Sequence, residues 1–348
     1  MRPATPFTAW HNPLLGTGQL LGAELGGRPA VIRPVLAPVR GFAAYDAEDG
    51  SLVREFALDA GFTGGPQCRM HLDAGGERPV LVALESRGLR GTVVQVDLVT
   101  GERACPDTWG KRRKPWGRRW PRMSAVVPHR GEDGRRTLLL GWSDGRVDRV
   151  DAVTGEAAGP RMRGTGRAQV WSLAAFTAAD GAARLAGADA DGLLRIWDVA
   201  TGRRVGDPVK AHNGPVSRLV PYRADGRMLL ATGGTDHSVR IWDPESRTPL
   251  GRTMVHPENT LGLCAYRADG RPVLAVASNR LHRYDALTGQ PVGEPVDGWE
   301  EDACLAVCAV RVGDRVALFG ADEIELRRFD GATGEEWPAE RPWQQRDL

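Results

Sequence analysis

Trp197-Asp198-Val199-Ala200-Thr201-Gly202 is one of seven degenerate copies of a single phrase, and its recurrence decides the fold. An apolar residue precedes an aspartate at Tyr45-Asp46, Val96-Asp97, Val150-Asp151, Trp197-Asp198, Trp242-Asp243, Tyr284-Asp285 and Phe329-Asp330, and five of these run on into Thr-Gly. Steps between the aspartates are 51, 54, 47, 45, 42 and 45 residues. That is close to the period at which each unit is one four-stranded propeller blade.

Working outward from Trp242-Asp243, the flanking residues read as strands. Residues 215–222 form a β-rich run, 223–227 carry an Asp-Gly turn, and 228–232 form a second apolar run, which together make a hairpin. Residues 238–242 alternate polar and apolar, and 249–254 supply a weaker fourth run. These are strands a, b, c and d. Glycine-bearing a–b turns return at 26–28, 75–77, 132–134, 179–181, 268–270 and 313–315. A single blade exposes two apolar faces, so the unit must be repeated and stacked to bury them.

With this register the chain resembles the WD-repeat β-propeller family over about nine-tenths of its length. The expected fold is all-β, a single domain of seven four-stranded antiparallel blades. The blades fall at about 18–56, 68–108, 123–160, 169–209, 216–255, 261–296 and 303–341, with terminal segments 1–14 and 342–348. The resemblance also implies a buried relay from a histidine before strand a, through a strand-b hydroxyl and a turn aspartate, to the strand-c tryptophan. Its members here are His212, Thr232, Asp236 and Trp242. Other units depart from it: the turn aspartate persists as Asp144 and Asp191, the tryptophan as Trp197, and Val39 and Arg90 stand at the turn in the first two units. The first two blades and the last are therefore expected to be held mainly by apolar packing, since a buried relay contributes only when complete.

Composition bounds the function classes. The 348 residues have a net charge of +2, from 46 Lys and Arg against 44 Asp and Glu, and only three of the cations are lysines. No apolar run is long enough for a signal peptide or a membrane helix, so the expectation is a cytoplasmic protein with no membrane association. Five cysteines without a CxxC pair point to reduced thiols. Cys304 and Cys308 are expected on one face of one strand a, with Cys68 and Cys264 on strand a of other units. Seven dispersed histidines give no metal-ligand spacing, and no metal or cofactor is expected.

The main irregularity is the junction between the second and third units. It is eight residues longer than its neighbours, and residues 109–122 hold seven cations and three tryptophans. Trp109, Lys111, Arg112, Arg113, Lys114, Trp116, Arg118, Arg119 and Trp120 are the candidate binding residues. Interleaved cations and indoles suit polyanions, because cations neutralise phosphates while indole faces stack on bases. The bland alternative is a solvated loop whose tryptophans tuck onto the blade rim. The junction between the sixth and seventh units carries Trp299, Glu300, Glu301 and Asp302, an acidic counterpart that would orient a partner. By resemblance, both junctions are d–a loops of the face that family members use for partners.

Gly141, Ser143 and Gly145 match the spacing of a hydrolase nucleophile elbow, but that motif needs a helix behind the serine. Here it falls at a b–c turn, with Trp142 expected in the loop. The leading expectation is a non-catalytic protein–protein interaction scaffold whose top face binds a macromolecular partner. The alternatives are an enzyme or small-ligand binder at the mouth of the central channel, and a nucleic-acid binder using 109–122.

Overall fold

A computed structural model describes residues 19–35, 41–58, 68–76, 78–85, 92–105, 121–164, 168–297, 304–321 and 326–337. The fold is an all-β, seven-bladed β-propeller of antiparallel blades, and the described residues contain no helix. Contacts divide the chain into two compact units: Met1–Cys68 with Leu261–Leu348, and Arg69–Thr260.

The unit Arg69–Thr260 carries the second to fifth blades. The fifth is the most complete: strand a Val216–Ala224, b Arg227–Gly234, c Ser238–Asp243 and d Thr248–Val255, each hydrogen-bonded to the next. The fourth runs Val170–Thr177, Ala183–Asp189, Leu193–Asp198 and Val209–Lys210. The third runs Met123–Arg130, Arg136–Trp142, Arg146–Asp151 and Met162–Arg163. The second has Cys68–Asp73, Val80–Glu85 and Thr92–Asp97, with its fourth position reduced to the bridge Val96–Arg103.

The other unit holds the first, sixth and seventh blades. The first is Leu21–Leu25, Arg28–Val35, Gly41–Asp46 and Leu52–Ala57. The sixth is Gly262–Ala268, Arg271–Ala277 and Leu281–Asp285, closed by bridges to Pro291 and Val296. The seventh is Ala306–Val312, Arg315–Ala321 and Leu326–Asp330, closed by a bridge from Phe329 to Glu336. The outer strand is the most degenerate because one of its edges has no partner to pair with, so little selects its length.

Strand b is apolar on both faces because each face serves a different core. Leu138 and Leu140 join the core shared with the second blade, while Leu139 between them joins Leu173, Leu185 and Trp197 of the fourth. Leu185 and Ala186 divide in the same way between the third and fifth blades. A period of two thus sends alternate residues to opposite neighbours.

The recurrent Asp-x-x-Thr-Gly phrase is a turn that joins strands c and d. Asp198 Oδ1 accepts the Thr201 amide at 2.8 Å and its hydroxyl at 2.7 Å, and the Thr201 hydroxyl oxygen accepts the Arg203 amide at 3.3 Å. Gly202 then adopts a φ of +68°, which only glycine takes without strain.

Three expectations need correction. Trp142 is the last residue of its strand rather than a loop residue, and it packs against the apolar core beside Met123. Cys304 precedes strand a of the seventh blade and faces Leu318 and Phe329, whereas Cys308 faces Val31 and Phe319. Leu305 donates to the Ala321 carbonyl while Ala306 pairs with Ala321 as well, so an extra residue shifts the alternation and puts the two thiols on opposite faces. Asp191 stands in the b–c turn, and the end of strand b adds a buried Asp189 that accepts the Asp191 amide and pairs with Arg195. The second and seventh blades, finally, are held by buried polar groups as well as by packing, as the next section describes.

Candidate functional site

The relay of the fifth blade is a complete hydrogen-bonded chain. Trp242 Nε1 donates to Thr232 Oγ1 at 2.9 Å, and Thr232 Oγ1 meets His212 Nε2 at 2.8 Å. His212 Nδ1 meets Asp236 Oδ1 at 2.8 Å. Asp236 also accepts the Ser238 hydroxyl at 2.7 Å and the Asn213 amide at 2.9 Å. Burial alone would raise the Asp236 carboxyl, but these donors outweigh it and hold it at about 2. Burial lowers His212, with Asp236 opposing in part, so the imidazole is neutral near pH 7. Gly234 is required here, since a Cβ would stand 2.3 Å from His212 Nδ1. In the fourth blade Asp191 stands at the position of Asp236, and Asp189, at the position of Gly234, accepts the amides of Asp191 and Leu193.

A second polar device joins neighbouring blades. The strand-c residue two positions before the aspartate reaches the next blade's turn and donates to its carbonyls. Gln95 Nε2 donates to Ala152 O at 2.6 Å, and Arg149 Nη1 to Val199 O at 3.1 Å. Arg283 donates to Ala332 O and Thr333 O, each at 2.7 Å. Arg328 joins the last blade to the first by donating to Ala47 O at 2.7 Å and Glu48 O at 2.6 Å. It is anchored further by Trp337 O at 2.9 Å and by the Trp337 ring, 4.6 Å away. The blades with strand-c tryptophans carry Ile196 and Ile241 at this position instead. The second blade adds buried Asp73, which Arg136 binds at 2.8 Å and Arg130 at 3.3 Å. Sequence reading centred on the aspartate and the tryptophan passed over these clasps, although Gln or Arg at a fixed offset from four of the seven aspartates is a visible signal.

Trp109, Lys111, Arg112, Arg113, Lys114, Trp116, Arg118, Arg119 and Trp120 lie outside the described residues, as do Trp299, Glu300, Glu301 and Asp302. Just past the first group, Arg122 donates its amide to Ser143 Oγ at 2.9 Å and accepts the Ser143 amide at 2.8 Å. Ser143 thus ties the start of strand a to the b–c turn, and no helix follows it. Among the described residues no group of His, Cys, Asp and Glu is placed to hold a metal ion.

Comparison with known proteins agrees with this geometry. The WD domain, G-beta repeat, matches residues 205–243, the segment that contains the relay. The chain is 38% identical over 78 residues to the Periodic tryptophan protein 2 homolog of Schizosaccharomyces pombe, covering 22% of this chain and 9% of that protein. It is 32% identical over 125 residues to the Ribosome biogenesis protein YTM1 of Podospora anserina, covering 36% of this chain and 23% of that one. The chain thus spans under a quarter of the length of either relative. The structure of BBS1N in complex with ARL6DN shares the fold, with a TM-score of 0.64 at 13% identity over 90% of this chain and 94% of that one.

Proposed function

The chain belongs to the WD-repeat β-propeller family, and from that premise we propose that it is a non-catalytic scaffold that binds a macromolecular partner through its d–a junctions. The observation that carries this reading is the segment 109–122, which lies in the longest of the junctions between blades and concentrates seven cations and three tryptophans. A framework of relay, clasps and two-faced cores is rigid, and binding residues carried on loops of a rigid scaffold lose little order on association. Lys111, Arg112, Arg113, Lys114, Arg118 and Arg119 supply charge, and Trp116 and Trp120 supply flat apolar surface. Trp299, Glu300, Glu301 and Asp302 supply the opposite sign in the second junction and set orientation. A protein partner in the cytoplasm is the primary reading.

The interleaving of tryptophan with cations favours a second reading, single-stranded nucleic acid as the partner. If about five cations meet phosphates, log K falls with log salt at a slope of about −3.5. A protein partner gives a weaker salt dependence and a fixed stoichiometry. The test is affinity capture of the tagged full chain from its host, with and without residues 109–122, followed by mass spectrometry. Loss of a stoichiometric partner on deletion supports the scaffold reading. An unchanged set of partners removes the segment from it, and a co-purifying small molecule with turnover of that molecule replaces it with a ligand-site or enzyme reading.

A further inference from the structure

Asn213-Gly214-Pro215 links His212 of the relay to strand a of the fifth blade. Of the chain's asparagines, Asn12, Asn213, Asn259 and Asn279, only Asn213 precedes a glycine. An asparagine amide is open to attack by the backbone nitrogen of the next residue, and glycine leaves that nitrogen unshielded by any side chain.

The fold leaves the reacting atoms free. Asn213 is exposed, and its one hydrogen bond among the described residues is made by its main-chain amide, which donates to Asp236 Oδ2 at 2.9 Å. The side chain is therefore unheld. The Gly214 amide donates to no acceptor among the described residues. In Asp-Gly pairs of the same chain, where the same ring could close, the amides of Gly50, Gly134, Gly145, Gly181, Gly192 and Gly331 each donate to a main-chain carbonyl. The backbone also requires a glycine at 214, since its φ is +152° and a Cβ would stand 2.6 Å from Thr235 Oγ1. Asn279 differs on both counts: its side-chain carbonyl accepts the Ser278 hydroxyl at 3.2 Å, and an arginine follows it.

We propose that Asn213 is a site of self-modification, at which the Gly214 nitrogen converts the asparagine to aspartate and isoaspartate and thereby loosens the relay of the fifth blade. The nitrogen attacks Asn213 Cγ: the N–Cγ bond forms, the Cγ–Nδ2 bond breaks, and ammonia leaves with the Gly214 amide proton. Water then opens the cyclic imide. Opening at Cγ gives aspartate, and opening at the main-chain carbonyl gives isoaspartate. One water is consumed and one ammonia released, so no oxidant or cofactor is needed. Asp236 is held by the Asn213 amide at 2.9 Å and by His212 Nδ1 at 2.8 Å. Either product puts a carboxylate on the residue whose amide holds Asp236, and like charges at close range oppose each other. Isoaspartate also adds a methylene to the main chain between Asn213 and Gly214. There is no slack to absorb it, because the Gly214 carbonyl oxygen lies only 2.6 Å from where a Gly192 Cβ would stand. The site needs no partner and is independent of residues 109–122.

The test is to age the full chain at mildly alkaline pH, digest it with trypsin under mildly acidic conditions beside an unaged sample, and follow the peptide Ala211–Arg218 by mass spectrometry. Two products heavier by the difference between an amide and an acid are expected, and isoaspartate is the one that isoaspartyl methyltransferase labels from S-adenosylmethionine. Conversion in the folded chain is expected at no less than a tenth of its rate in the guanidinium-unfolded chain. A slower rate, or none, overturns the proposal. Asn213→Gln, whose longer side chain disfavours the ring closure, loses the mass gain. Aged wild type is expected to melt below fresh wild type, while Asn213→Gln keeps its melting temperature through the same ageing. Asn213→Asp melts below wild type without ageing. Equal melting of fresh and fully converted wild type overturns the link to the relay.

Discussion

Asp236, ionised, can only accept, and that constraint orients the protons of the relay. His212 must donate from Nδ1 to Asp236, so its Nε2 accepts from Thr232 Oγ1, which in turn accepts from Trp242. Trp242→Ala removes a buried ring and leaves Thr232 without a donor, at a cost of about 3–5 kcal/mol in urea titration. Trp142→Ala costs less, since that ring is partly exposed and its indole N–H meets no acceptor. A protonated His212 would have no place for a second proton, and the same direction holds for His71, His129 and His282, all lowered chiefly by burial. A histidine whose folded value lies below its unfolded 6.5 contributes stability that is present above that value and lost as pH falls toward the folded one. For His71 the window runs from 6.5 down to about 4. Unfolding free energy at pH 4.5 is expected to be about 1–3 kcal/mol below that at pH 7 from this residue, and His71→Gln flattens the profile by that amount. Asp236, held at about 2, loses its contribution only below that window, from its ordinary 3.8 downward.

At the scale of strands and blades, the chain uses two interchangeable ways to hold strand c. Blades four and five place a tryptophan beside the aspartate and an isoleucine before it. Blades two, three, six and seven place a smaller or aromatic residue there and use Gln95, Arg149, Arg283 or Arg328 to grip the next blade's turn. Arg328→Met leaves the carbonyls of Ala47, Glu48 and Trp337 without their donor and is expected to cost about 2–4 kcal/mol. Arg223→Ala, an exposed residue with one long hydrogen bond, is expected to change stability by under about 0.5 kcal/mol. Denaturant titration of both variants checks the contrast. The strands themselves were readable because alternation and Asp-Gly turns act locally, and Asp225-Gly226 and Asp269-Gly270 do take the two positive φ values of a tight hairpin. The clasps left a signal in the recurrent Gln or Arg two residues before the aspartate, but their acceptors lie on a neighbouring blade, and the place of Cys304 was not readable because an extra residue shifts the alternation of its strand.

For the whole molecule, the repeat period made the fold legible before any coordinate, because seven units in one register leave few other ways to bury two apolar faces per blade. The binding segments were legible only as composition. Periodicity constrains strands and says nothing about the path of an insertion, so the contribution of Lys111, Trp116 or Glu300 rests on chemistry rather than register. The scaffold reading is tested most directly by amide hydrogen exchange of the full chain, free and bound to its captured partner. New protection confined to residues 106–120 and 298–303, with the strand amides unchanged, is the predicted result. No change in those two segments, with protection appearing instead along the a strands, contradicts it.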